Sequence, residues 1–314
     1  MDLTRPVRYR SLQLNDVALE SGRRLLSGIS IERVDYSAVQ AIGYTEKRAE
    51  SDGLHASDVY LGPRQIDLSG MIYADSPASL FDTLRLLRIT FAPTSAYQDD
   101  PVNKGFVPLY FHQPTKDEQS FPGGEIDLFI RARPLGLPRW DITRDRLIGV
   151  PNGKPQAMPW SASLLAKDPR VYIDPAQEQP LSGTYANTAF TAKNRGDYES
   201  PLNILLVIGN SAPAAGSKFT INGFGVQMTI TIEAKANVIY RWRGNDRTLH
   251  TQENTPGAPE ALRMDLVNFV GRARKPMVPA QIEPDRRPFV SPYTITCNTP
   301  LAAGSRLFWN EAFA

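Results

Sequence analysis

Proline placement constrains this chain more than any other feature. There are 26 prolines, and they gather between short apolar runs. PTSAYQDDP (93–101), RPLGLPRW (133–140), TPGAPE (255–260) and KPMVPAQIEPDRRP (275–288) are the densest clusters. Proline has no backbone N–H to donate, and inside a helix its ring clashes with the preceding turn. A chain interrupted this often cannot supply the long helices of a bundle. The expectation is short strands joined by stiff loops.

The runs between the prolines read as strands. RSLQLNDV (10–17), LLSGISIERV (25–34), QIDLSGMIY (65–73), FVPLYFHQ (106–113), GEIDLFIRAR (124–133), DITRDRLIGV (141–150) and AMPWSASLLAKDPRVY (157–172) form a first set. TEKRAESDGLHASD (45–58) is polar and reads as a loop. In QIDLSGMIY, Ile66, Leu68 and Ile72 share one face with Gly70, and a strand glycine marks a bend or a close backbone approach. YANTAF, SPLNILLVIG, SKFTING, FGVQMTITIEA, NVIYRW and SRLFWNEAF form a second set. Asn222-Gly223 reads as a hairpin turn. After it Val226, Met228, Ile230 and Ile232 alternate with polar residues. A one-residue slip would expose all four, at about 1.5–3 kcal/mol each, so the register is well specified.

One helix interrupts the first set. In ADSPASLFDTLRLLRITFAP, Ser76 can cap and Pro77 suits the first helical position. Leu80, Leu84, Leu87 and Phe91 recur at helical spacing and predict a buried stripe on a helix near 77–90, ended by Pro93. A helix of about 20 Å is marginal alone in water, so it must dock.

With 314 residues, and about 150 per domain, the chain divides in two. The break is expected near Tyr172, with IDPAQEQPLSG (173–183) as linker, giving domains 1–172 and 173–314. The fold class is mainly β, a first domain of strands with one short helix and a β-sandwich second domain. LNILLVIG (202–209), the longest apolar run, is too short to cross a bilayer. MDLTRPVRYRSLQL lacks the apolar core of a signal peptide. The net charge of +2 gives no argument for nucleic acid or an anionic membrane. The lone Cys297 permits no intrachain disulfide and fits synthesis in a reducing cytosol.

Chemistry-bearing motifs are few. His55, His112 and His250 show no metal-ligand spacing, and one cysteine cannot build a zinc site, so no metal and no cofactor is expected. GNSAPAAGSK (209–218) has six residues between its glycines, where a phosphate loop has four, and reads as a turn. No catalytic residue is assigned. Asp67, Asp75, Glu125 and Asp127 lie near strand ends, where a glycosidase would hold an acid and a base. Carboxylates are common enough here to fall together by chance. The basic stretches 131–146 and 271–276, with Arg286-Arg287, are interrupted by aspartates and read as solvated loops. Tyr240 and Trp242 are candidate glycan contacts at a strand end, with a core position as the plainer reading.

The order of elements carries a resemblance. A strand ending LND is followed by RQIDLSGMIYADSPASLFDTLRLLRITFAP, then SLLAKDPRVY (163–172), NRGDYESPLNILLVIG (194–209), SKFTINGFGVQMTI (217–230) and LFWNEAF (307–313). From about residue 8 onward the chain resembles the distal tail proteins of long, non-contractile-tailed bacteriophages. Proline-rich stretches around 245–261 and 274–290 depart from the shortest members. The resemblance implies a barrel-like N-terminal domain with a single helix and a galectin-like C-terminal sandwich. It implies a structural, non-enzymatic virion protein made in the host bacterial cytoplasm. Six N-terminal domains would form a ring at the distal end of the tail, with DNA passing through and no sequence-specific nucleic-acid contact. The implied partners are further copies of itself, the tail tube protein, the tape measure protein, the tail hub protein and receptor-binding proteins. Another minor tail protein is a related reading. The alternative from a different class is a carbohydrate-binding protein using the C-terminal sandwich on host-surface glycans.

Overall fold

The computed structural model describes residues 5–15, 28–38, 41–42, 45–47, 54–56, 60–74, 76–99, 103–116, 121, 123–140, 156–196, 198–223, 225–271, 276–279 and 289–313. The expected strand at 141–150 and Arg286-Arg287 lie outside them. The chain forms two compact units, Met1–Asp174 and Pro175–Ala314.

The first unit is a nearly closed, barrel-like antiparallel sheet. Its order is Leu12–Leu14, Val7–Tyr9, Val107–Pro114, Glu125–Pro134, Gln156–Ala166, Arg64–Ala74 and Gly28–Ile29. Arg33–Tyr36 also pairs with Arg64–Ala74, and Arg139–Trp140 pairs with Gln156–Ala166. Alternation sets the faces. Ile66, Leu68, Gly70, Ile72 and Ala74 point inward, and Gln65, Asp67, Ser69, Met71 and Tyr73 point outward. Gly70 is required by a close approach, since a Cβ there would meet the Ser30 carbonyl oxygen at 2.0 Å. Trp160 Nε1 donates to that same oxygen at 3.1 Å.

Helix α1 spans Pro77–Thr90. Ser76 Oγ accepts from the Ser79 amide at 3.2 Å, with Pro77 in the first turn. At the other end Arg10 Nη1 donates to the carbonyls of Ile89 (3.0 Å) and Thr90 (2.7 Å). A cation there satisfies open carbonyls and suits the helix dipole. Leu80, Leu84, Leu87 and Phe91 are buried. Phe91 stacks on Tyr9 at 5.3 Å between ring centres and meets Trp160 at 5.8 Å. Both partners sit on the inward face of the sheet, so α1 docks there.

Three local expectations fail for identifiable reasons. Pro93 opens a second helix, α2 (Pro93–Asp99), because the first helical position tolerates proline. The polar 45–58 stretch holds two short strands, Thr45–Lys47 and Leu54–Ala56, which pair antiparallel. The stretch read as a linker joins a strand, Gln177–Asn194, because its partner Phe289–Trp309 supplies a ladder that local composition does not show.

The second unit is a curled antiparallel sheet of nine strands among the described residues. Phe289–Trp309 is its spine. Its first part pairs with Lys218–Gly223 and its last part with Asn203–Val207. Gln177–Asn194 follows it with register shifts between Leu181 and Thr188, which is where a long ribbon can bend. Val226, Met228, Ile230 and Ile232 are all buried. The turn before them lies two residues later than expected. Gly223 still pairs with Val226, and Gly225, at φ +72°, is in the turn. Gly223 answers a packing demand, since a Cβ there would meet Tyr293 Cβ at 2.6 Å.

Removing α1 packing tests this account. Leu84→Ala should cost about 2–5 kcal/mol from the lost contacts and the cavity left behind. Leu84→Asp should cost more, by burying an unpaired charge. Urea unfolding of the full chain followed by circular dichroism measures both; unchanged midpoints would contradict the buried placement.

Candidate assembly surface

Most buried polar groups here hold the chain together. In the DPRVY segment, Asp168 accepts from Arg170 Nε (2.7 Å), Arg170 Nη2 (2.8 Å) and the Tyr172 hydroxyl (2.5 Å). Tyr172 then stacks on Phe129 at 5.6 Å. In the second unit Arg195 forks onto Glu311, with Nε 2.7 Å from Oε2, and Glu311 is only 1% exposed. A Cβ on Gly196 would meet the Ala312 carbonyl oxygen at 1.9 Å. Asn194 donates to the Tyr198 carbonyl at 2.9 Å and accepts from the Gly196 amide at 3.0 Å. The NRGDY and WNEAF segments are therefore two halves of one clasp.

The carboxylates considered for catalysis are occupied by close neighbours. Asp67 accepts from Gln65 Nε2 and from Ser163 Oγ at 2.5 Å. Asp127 lies 2.7 Å from His112 Nδ1, and Glu125 pairs with Arg5. Asp75 lies outside the described residues. His250 stands 3.7 Å from Glu260, which also holds Arg241 and Arg243. Burial, then Arg243, pushes the His250 imidazole below its ordinary pKa. Among the described residues there is no group of three or more potential metal ligands. No helix among them is long and apolar enough to cross a membrane.

Trp242 and Tyr240, the candidate glycan contacts, are both 0% exposed. They belong to the core of the second unit, where Trp242 meets Phe269 at 5.6 Å and the Tyr240 hydroxyl accepts from the Glu233 amide. A sugar has no access to either ring, which counts against a platform at this strand. The inward register of Val238–Arg243 decides it, because Val238, Tyr240 and Trp242 share the buried face.

The exposed apolar groups lie elsewhere. On α1, Phe81 (50%), Leu86 (45%) and Ile89 (50%) face water, and Tyr97 of α2 is 54% exposed. On α1, Ile89 and Leu86 lie away from the leucine stripe and Phe81 lies on its flank. That signal was present in the sequence at positions the stripe leaves out. Arg85 and Arg88 are also exposed and make no ion pair among the described residues. A second exposed apolar pair, Leu135 and Leu137, borders a hollow of about 410 Å³. Gln65, Arg139, Ser161 and Ser163 also line it. A third surface is a cross-strand row of Arg8, Tyr110, Phe129 and Tyr172, with Arg8 4.3 Å above the Tyr110 ring. Those rings are covered by guanidinium groups and are largely satisfied in place.

No protein-family model and no curated protein sequence matches this chain. Solved structures do. The SPP1 Dit (gp 19.1) protein, described as a paradigm of the hub adsorption apparatus in phages infecting Gram-positive bacteria, matches with a TM-score of 0.53 at 13% identity. The match covers 98% of this chain and 99% of that one. A chain of the phage p2 baseplate in its activated conformation with strontium gives 0.41 at 7% identity, over 90% of this chain and 89% of that one. The corresponding calcium structure gives 0.40 at 8% identity, over 88% and 90%. The Dit match is one of fold.

The clasp in the second unit makes a stability prediction. Arg195→Met leaves Glu311 buried without its cation and should destabilise by about 3 kcal/mol. The double variant Arg195→Met with Glu311→Leu should recover part of that loss. A denaturation series on the parent, the single variant and the double variant reads the coupling; full additivity would rule it out.

Proposed function

We propose that this chain is a structural component of a bacteriophage tail tip, present in the virion and assembled from several copies. The observation that carries the reading is its likeness in fold, along the whole of both chains, to the SPP1 Dit protein. A barrel-like unit carrying α1 and a curled β unit occur here within one such chain. The polar groups support a structural role, since half-buried Asp168 and buried Asn194 and Glu311 hold backbone and arginines. The proposed form is a ring of six at the distal end of the tail, joining the tail tube to the hub and the receptor-binding apparatus. Its neighbours would be the tail tube, tape measure and tail hub proteins. Fold alone does not assign function, so the assembly itself must be measured.

Native mass spectrometry of the full chain, with negative-stain averages of any large species, is that measurement. A closed ring of six subunits is expected. A chain that stays monomeric alone and also fails to co-assemble with the tail tube and hub proteins would overturn the reading.

A further inference from the structure

We propose that the 255–262 segment is an acid-released strap. Glu260 fastens it across the outward face of the second unit at neutral pH, and a proton on His250 lets it go. The proposal goes beyond the tail-tip reading and does not depend on it.

The segment has almost no apolar anchorage. No residue from Asn254 to Asp265 is buried. Pro256 and Pro259 have no N–H to lend to a ladder. The strand Ala261–Leu262 is two residues long and pairs with Thr251 and His250 at the end of the sheet. Beside it the Arg263 amide donates to the Leu249 carbonyl at 2.8 Å, and Gln252 Nε2 donates to the Ala258 carbonyl at 2.6 Å. A segment with so little buried apolar surface sits at the low end of local stability, so it opens while the sheet beneath stays folded.

Glu260 is its charged fastening. Val238, Tyr240 and Trp242 are buried, which leaves Arg241 and Arg243 on the outward face. Leu249 and Thr251 are buried on the neighbouring strand Thr248–Glu253, which puts His250 on that face, opposite Arg241. Glu260 accepts from Arg241 Nη1 and, at 2.6 Å, from Arg243 Nη2. His250 Nδ1 stands 3.7 Å from the same carboxylate, and its Nε2 lies 3.2 Å from the Thr248 hydroxyl. One carboxylate on the strap thus serves two permanent cations and a third group that is a cation only when protonated.

That third charge is opposed. Burial disfavours it most, Arg243 and Arg241 repel it, and Glu260 and Asp246 attract it. The balance holds the imidazole below its ordinary pKa while the strap is fastened. With the strap released, His250 meets water and returns to its ordinary value of about 6.5. The released state therefore takes up the proton more readily. Fastening is at full strength above about pH 6.5 and weakens as the pH falls through the interval below it. Release also bares the outer edge of Thr248–Glu253, which Ala261–Leu262 covers. An uncovered edge presents unpaired backbone groups.

Hydrogen exchange with mass spectrometry on the full chain tests this at about pH 7.5 and about pH 5, on either side of the ordinary imidazole value. Rates are corrected for the pH dependence of intrinsic exchange. In the parent, peptides spanning 248–263 should exchange several-fold faster at the lower pH, while the spine Phe289–Trp309 stays protected. His250→Gln should keep the strap protected at both pH values. Glu260→Gln should leave it exchanging fast at both. Where His250→Gln loses protection in the spine, His250→Asn takes its place. The proposal is overturned by equal protection of 248–263 in the parent at the two pH values, or by acid loss that extends to the spine. It is equally overturned by acid loss that survives the His250 variant, or by a Glu260 variant whose strap stays protected.

Discussion

Phe91 lies against Tyr9 and Trp160, and the first unit is organised around that contact. The ring comes from the end of α1, and its partners come from strands far apart in the chain. Tyr9 also donates to the Ala132 carbonyl, and Trp160 to the Ser30 carbonyl. One aromatic cluster therefore ties the helix, three sheet strands and a connecting segment. A strongly curved sheet leaves an interior that its own side chains do not fill. A helix shorter than about 15 residues is marginal alone. Each supplies what the other lacks, which is why a single well-capped helix sits among so many strands.

The second unit solves a different problem. Its spine, Phe289–Trp309, serves three neighbouring strands along its length, and the sheet must curl to cover its own core. The irregular register between Leu181 and Thr188 permits the bend. The clasp of Arg195 on Glu311 then pins the start of the unit to its end. Gly196 lies against Ala312 so closely that no side chain fits.

Surfaces are where the two kinds of information separate. The leucine stripe of α1 was legible because its period matches a helix and its cap and first proline agree. Exposed apolar character on the same helix was equally present in the letters, as Phe81, Leu86 and Ile89. It was hidden because apolar residues off the stripe blur amphipathic patterning instead of sharpening it. The hollow was not legible at all. It is built from strands that are neighbours only through the register of Gln156–Ala166 on Arg64–Ala74.

By itself the sequence determined the mainly β class, the capped helix and the buried alternation at Val226 to Ile232. These follow from local rules of period, capping and backbone sterics. Only the tertiary structure decided that the 177–183 stretch is strand, that Pro93 begins a helix and that Gly223 is a packing glycine. It also decided that Trp242 and Tyr240 face inward. Each of those outcomes depends on a partner distant in sequence. A strand is defined by the ladder beside it, and a side chain's face by the register in which that ladder forms.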